Sequence, residues 1–322
     1  MIDFRAMGRG IRRVGRWIGA SAALLGVMLL LPWTSGAIAA ETLQPFVLAK
    51  TVSGPLDAAV EQARSALERG GFRIIAQTQP YRQEESHVDA ATVIVFTRSD
   101  VLKAAGKQAT GGFMAPLRLS VTEVDGQVQV AYVNPTYFAH AYRLDDDLAQ
   151  VSSDLEDAFP GGQGFGSKKG MAPGKLRKYH YSFGMRYFDE PYELATFNSH
   201  AEAVAKVTEN LKKNTVGVSQ VYELAVPNSE QVVFGVLRRP TRDAHSDMDD
   251  TWIMSIADFE ANKKTAYLPY EILVTGNKVI AMHAQFRMAV HFPDMPMFRV
   301  GMRLMNAMNV IGDGLEAAVK DE

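Results

Sequence analysis

Seven histidines, fifteen methionines and no cysteine define the chemistry open to this chain of 322 residues. Without cysteine there is no disulfide, zinc–thiolate site, iron–sulfur cluster or thiol nucleophile. The densest run of useful side chains is Lys175–Asp189. There Lys175, Arg177, Lys178 and Arg186 alternate with Tyr179, Tyr181, Phe183, Tyr187 and Phe188 around His180. Guanidinium forks and aromatic faces together hold planar or anionic ligands, which makes His180 and Arg186 candidate ligand-binding residues. A strand with a buried aromatic face and solvated cations accounts for the same alternation. A second stretch, Lys278–Val290, reads as one strand. His283, Gln285 and Arg287, with His291 beyond, share its polar face, and Met282, Ala284, Phe286 and Met288 its apolar one. His283, Gln285 and Arg287 are candidates to line a polar cleft, and a solvated sheet face gives the same pattern. On a strand, His283 and His291 stand roughly 26 Å apart, too far to share a metal.

Met295, Met297, Met302, Met305 and Met308 crowd the last helix and its approach. Thioethers suit Cu(I), so Met295 and Met297, with His291 as a nitrogen donor, form a candidate copper site. Helical spacing also puts Phe298, Met302, Met305 and Met308 on one stripe, as in a helix buried against a sheet. No other cofactor is expected. Ser167 precedes Lys168, the reverse of a phosphate loop, and Gly162, Gly164 and Gly166 miss the dinucleotide spacing. Asp145–Asp147 and Asp247, Asp249 and Asp250 lack the glycine-spaced calcium-loop pattern and read as solvated loops. There is no Gly-x-Ser-x-Gly elbow.

The elements that must position these residues fall into two halves. A Gly- and Pro-rich stretch within 156–178 reads as a linker, dividing a first domain at 42–155 from a second at 179–322. In the first half the pattern predicts a strand at Phe46–Val52 and a helix from Leu56 stopped by Gly70-Gly71. Strands at Phe72–Ala76 and Thr92–Thr97 follow, with a short helix at Ser99–Ala105 after them. Leu117–Val124 and Gln127–Val133 form a hairpin over Asp125-Gly126, and Asn134-Pro135 opens a helix. The second half has a helix capped by Ser199, strands at Val216–Val226, Gln231–Leu237 and Trp252–Ile256, and a hairpin over Gly276-Asn277. The two hairpins can be laid over each other, Pro116 on Pro269. The expected fold class is therefore α+β, two tandem related domains, each a curved antiparallel sheet with helices on one face.

The first half resembles the domain-of-unknown-function 302 family. The likeness lies in the helix Leu56–Leu67, Gly71-Phe72, Val93–Phe96, the stretch from Pro116 to Val121, and the run from Asp125 through Asn134-Pro135 to Ala139. It covers about residues 50–148, and the second half looks like a diverged relative of the same unit. The resemblance implies a small α+β domain; it implies no agreed activity and hands over no catalytic residue.

Residues 1–39 read as a signal peptide. Five arginines precede an apolar run from Trp17 to Pro32, and Ala37-Ile38-Ala39 supplies a small-x-small cleavage site. Retention of the segment as an anchor is the competing reading. Removing it takes away five Arg and Asp3, leaving 29 basic against 35 acidic residues, a charge of −6. Such a surface does not suit nucleic acid. With 47% hydrophobic residues a packed core is feasible. The expectation is a soluble, periplasmic, non-catalytic protein that binds a small ligand or serves as an accessory. The alternatives are an enzyme acting on a small anionic compound at the domain interface, with His180 or His283 as acid–base and Arg186 or Arg287 as anion clamp, and a Cu(I)-binding or structural partner in an envelope complex.

Overall fold

In the computed structural model, residues 42–180, 184–241 and 243–320 are described, without the side chains at 83, 243–245 and 297–302. The expected signal peptide lies outside these residues. Strand β1 (Phe46–Val52) leads to helix α1 (Leu56–Arg69), whose Ala59, Val60, Ala63, Ala66 and Leu67 form one buried stripe. Strand β2 (Arg73–Thr78) and strand β3 (Ala90–Thr97) follow, then α2 (Ser99–Ala105). Strands β4 (Leu117–Val124) and β5 (Gln127–Val133) pair across Asp125-Gly126 as the turn chemistry dictates. Asn134 then caps α3 (Pro135–Ala141) by accepting from the Tyr137 N–H. Helix α4 (Ala149–Ala158), strand β6 (Gln163–Phe165) and the short α5 (Pro173–Leu176) complete this part. The first sheet runs β2-β3-β4-β5-β1-β6, with every described pair antiparallel.

The second sheet is built from β7 (Tyr192–Thr196), β8 (Val218–Val226), β9 (Gln231–Arg238), β10 (Tyr270–Thr275) and β11 (Lys278–Ala281). Helix α6 (His200–Lys213) follows β7, capped by Ser199 as expected. Helix α7 (Asp250–Ala257) lies between β9 and β10. Helices α8 (Ala284–His291) and α9 (Met297–Val319) follow β11. The sheet order is β7-β11-β10-β9-β8, again antiparallel throughout. Read from the opposite edge, this is the order of β2-β3-β4-β5-β1, and β4 and β10 hold the same central place. The α+β class is thus observed as two separate antiparallel sheets with helices.

Four expectations are corrected. Residues 156–178 are not a free linker. Strand β6 adds to β1 at Phe46↔Phe165, and Leu43 bridges Met171 through two backbone hydrogen bonds of 2.9 Å. Glycine is used here for close approach: Gly166, at φ +102°, would bring a Cβ to 2.8 Å from the Pro45 ring. Trp252–Ile256 is not a strand but the body of α7, because Asp249 accepts from the Trp252 N–H at 2.9 Å and starts a helix. That helix occupies the place between β9 and β10 that α2 has between β3 and β4. Neither Asp249 nor Asp250 is in a solvated loop. Both are buried, and Asp250 takes the Arg238 backbone N–H at 2.7 Å and its Nε–H at 3.0 Å.

The fourth correction bears on the candidate site. The strand expected over Lys278–Val290 stops at Ala281. His283 turns the chain by accepting the Gln285 N–H on its Nδ1, 3.2 Å away, and 284–291 coil into α8. Helical spacing then sets Arg287 and His291 on one face, four residues apart.

The two sheets lie within one compact unit, Ala40–Glu322. On β4 the side chains Leu117, Leu119 and Val121 belong to the apolar core beside α1, while Arg118, Ser120 and Thr122 point to the other face and are just as buried. What covers that polar face is the segment 261–267 ahead of β10. Gln129 of β5 donates to the Ala261 carbonyl at 2.9 Å and accepts the Lys263 N–H at 2.8 Å. Thr122 meets the Thr265 hydroxyl at 3.0 Å, and Arg118 Nε donates to the Ala266 carbonyl at 2.8 Å. The arrangement is reciprocal. Gln231 of β9 accepts the Gly112 N–H at 2.8 Å and donates to the Gln108 carbonyl at 2.9 Å, from the segment ahead of β4.

Candidate functional site

The structure separates the expected site residues into two places. His180, Arg186, His283 and Gln285 come together outside the N-terminus of α8. Gln285 Oε1 accepts the Arg186 N–H at 3.0 Å, which ties the basic–aromatic segment to the helix. His180 lies flat on Tyr187, with ring centroids 4.1 Å apart and planes 11° apart, and its Nε2 donates to the Met185 carbonyl at 2.9 Å. His283 lies on Tyr192 at 4.1 Å. Burial first, and then the Arg186 charge, pull its pKa down to about 4, so the imidazole is neutral at pH 7. Among the described residues around His180 there is no strand with a buried aromatic face. Phe188 is buried against Tyr142 and Phe286, and Tyr187 is exposed.

Beside it opens a groove of about 620 Å³ lined by Arg143, Arg177, Lys178, Tyr187, Asp189 and Glu190. Arg143 pairs with Asp189 at 3.0 Å and holds that carboxyl below its ordinary pKa. Glu190 is held low by the Tyr187 backbone N–H, 2.8 Å away, and then by Arg186 at 3.3 Å. Arg177 donates to the Leu144 carbonyl. Among the described residues no carboxylate pairs with Arg177 or Lys178, so the groove keeps a surplus of positive charge.

Arg287 and His291 are elsewhere. They point into the middle of the molecule, where Arg118 and Glu271 meet them from β4 and β10, and all four residues are at most 3% exposed. Glu271 accepts from Arg118 Nη1 through one oxygen and from Arg287 Nη2, at 2.8 Å, through the other. Arg287 Nη2 also meets the Tyr267 and Pro269 carbonyls at 2.7 and 2.8 Å. The Arg287 guanidinium stands 4.2 Å over the Tyr267 ring and 4.4 Å over that of Tyr270. His291 gives its Nδ1 proton to the Arg287 carbonyl at 2.7 Å and turns Nε2 toward Arg118 Nη2 at 3.4 Å. Burial and the two guanidiniums push its pKa far down. Arg287 therefore does not share a cleft with His283, and both His291 nitrogens are engaged within this cluster. Met295 packs in the second apolar core, and the Met297 side chain is outside the described residues.

Sequence reasoning did not name Arg118, Glu271, Arg143, Arg177, Lys178 or Tyr187 as site residues, although Arg177, Lys178 and Tyr187 lie in the run it singled out. A signal existed for Arg118 and Glu271 as well. Arg118 interrupts Leu117–Val121 and Glu271 interrupts Tyr270–Val274, and a lone charge in an apolar strand requires a buried partner of opposite sign. That the partners were each other needed the fold.

Among curated proteins none matches the chain. One solved structure, the crystal structure of an uncharacterized conserved DUF302 protein from Bacillus stearothermophilus, is 16% identical over 34% of this chain and 94% of that one, with a TM-score of 0.30. Residues 48–160, from β1 to just beyond α4, match the family model described as domain of unknown function DUF302, so the resemblance read from the first half of the sequence holds over the first sheet.

Proposed function

We propose that the protein is exported to the periplasm and there binds a small organic anion without turning it over, at the groove lined by Arg143, Arg177, Lys178 and Tyr187. The observation that carries this reading is the surplus of cationic side chains beside an exposed aromatic ring, which His180 backs from behind. A carboxylate or phosphate of the ligand would meet Arg177 and Lys178, and its planar part the Tyr187 ring. His180, Arg186, His283 and Gln285 fix the segment that forms one wall. Among the described residues no helix is long and apolar enough to cross a membrane. The N-terminal signal supports export, and the shared strand order supports reading the second sheet unit as a diverged copy of the first.

Titration calorimetry with a panel of small carboxylates and phosphate esters tests the proposal. Binding is expected for planar anions, weakened tenfold or more by Arg177→Ala and by Tyr187→Ala. A panel without binders, or binding indifferent to both variants, refutes it.

A further inference from the structure

The buried centre does not balance its charge. Arg118 and Arg287 bring two positive charges and Glu271 one negative, while His291 is neutral because its Nδ1 proton is bound to the Arg287 carbonyl and Nε2 faces a guanidinium. The neighbouring Arg238–Asp250 pair is neutral as a pair. Among the described residues no second carboxylate bonds to Arg118 or Arg287. One positive charge is thus left in a buried place, which is unfavourable unless something compensates it. The carbonyls of Ala266, Tyr267 and Pro269 serve Arg118 Nε and Arg287 Nη2 only.

The hydrogen-bond inventory points the same way. Arg287 Nε and Nη1 are buried and have no partner, and neither have the hydroxyls of Tyr222 and Tyr267. These groups can donate, and the guanidinium nitrogens cannot accept. Tyr222 belongs to the same neighbourhood. It is paired through Gly235 to Glu271 in one row across β8, β9 and β10. Its ring lies so close over Gly235 that a Cβ there would meet it at 1.9 Å. Surplus positive charge together with unused donors describes a site for an anion, not for a cation or a neutral ligand.

We infer that the centre of the molecule holds a compact monovalent anion of the halide class against an unpartnered nitrogen of Arg287, as a structural counter-ion to the Arg118–Glu271–Arg287 cluster. The site is separate from the surface groove and needs no ligand there. The anion enters as the two sheets close on each other, so the test begins from the unfolded chain. Protein unfolded in urea is refolded into sodium gluconate, chloride or bromide at one ionic strength. A saturable rise in Tm is expected in chloride and bromide over gluconate. Crystals grown in bromide are expected to show an anomalous peak in contact with Arg287. Glu271→Gln raises the surplus from one charge to two and is expected to tighten half-saturation about tenfold; Arg118→Met removes the surplus and the saturable response with it. Equal Tm in the three salts, or bromide crystals without a peak at Arg287, overturns the inference. A response that both variants leave unchanged marks an adventitious ion only and overturns it as well. Should neither variant fold, the bromide map of the unaltered protein decides.

Discussion

Acid is expected to unfold this protein through imidazoles that the fold holds neutral. His283 is hemmed in by Tyr192, Arg186 and Glu190, and its pKa falls from 6.5 to about 4. His291 sits among Arg118, Arg287 and Tyr267 and is pushed far below 6.5. In the unfolded chain both regain the ordinary value, so below pH 6.5 the unfolded state binds protons that the folded state refuses. Stability is therefore intact above pH 6.5 and is lost as pH falls below it. For His283 the loss is about 2 kcal/mol at pH 5 and about 3 kcal/mol once pH 4 is passed. His291 adds a loss of the same sign, and the His283 part alone is a large fraction of the stability of an ordinary domain. Urea unfolding at pH 7.5, 6.5, 5.8 and 5 measures this directly. His283→Asn keeps a capping acceptor for the Gln285 N–H and removes one titration, so between pH 7.5 and 5 it should lose about 2 kcal/mol less stability than the parent. Identical pH slopes for the variant and the parent, or a parent that is flat over this range, would refute the reasoning.

Four further outcomes are expected. Gly166→Ala should cost about 1–2 kcal/mol, because its φ of +102° and the Pro45 ring leave no room for a Cβ. Gly174→Ala, where nothing lies within 4 Å, should be neutral or stabilising by up to about 1 kcal/mol; paired urea melts check both. Gly235→Ala should force the Tyr222 ring off β9 and lose about 1–3 kcal/mol, visible as a lower urea midpoint at unchanged m-value. Asn134→Ala should cost about 1 kcal/mol by removing the α3 cap, and Asn134→Asp should restore it.

The legible parts of the sequence were those where one signal acted alone. Asp125-Gly126 fixed the β4–β5 turn, and Ser199 with the Ala203, Val207 and Leu211 stripe announced α6. Helix α8 escaped because it is buried nearly all round. Arg287 and His291 are covered as fully as Phe286 and Val290, so no solvent face marks a helical period. The run Met282–Val290 then fits a period of two equally well. Glycine density in 160–170 looked like flexibility because composition does not tell free rotation from tight contact. The groove residues Arg177, Lys178 and Tyr187 lie in the segment whose chemistry stood out, whereas Arg143 reaches it from the end of α3, a meeting that only the tertiary fold brings about.

The reciprocal covering of the sheets sets the order in which this protein can finish. Strands β1 to β5 are complete by residue 133, yet the outward side of β4 and β5 waits for a segment more than a hundred residues downstream. A growing chain must carry that half-made surface while more than a hundred further residues are made. An apolar surface in that position would invite misassembly with other chains. Here the waiting side chains are Arg118, Ser120, Thr122 and Gln129, all at ease in water until 261–267 arrives. The polar inner surface thus protects the nascent chain first and becomes a joint afterwards, and the same four side chains serve both stages.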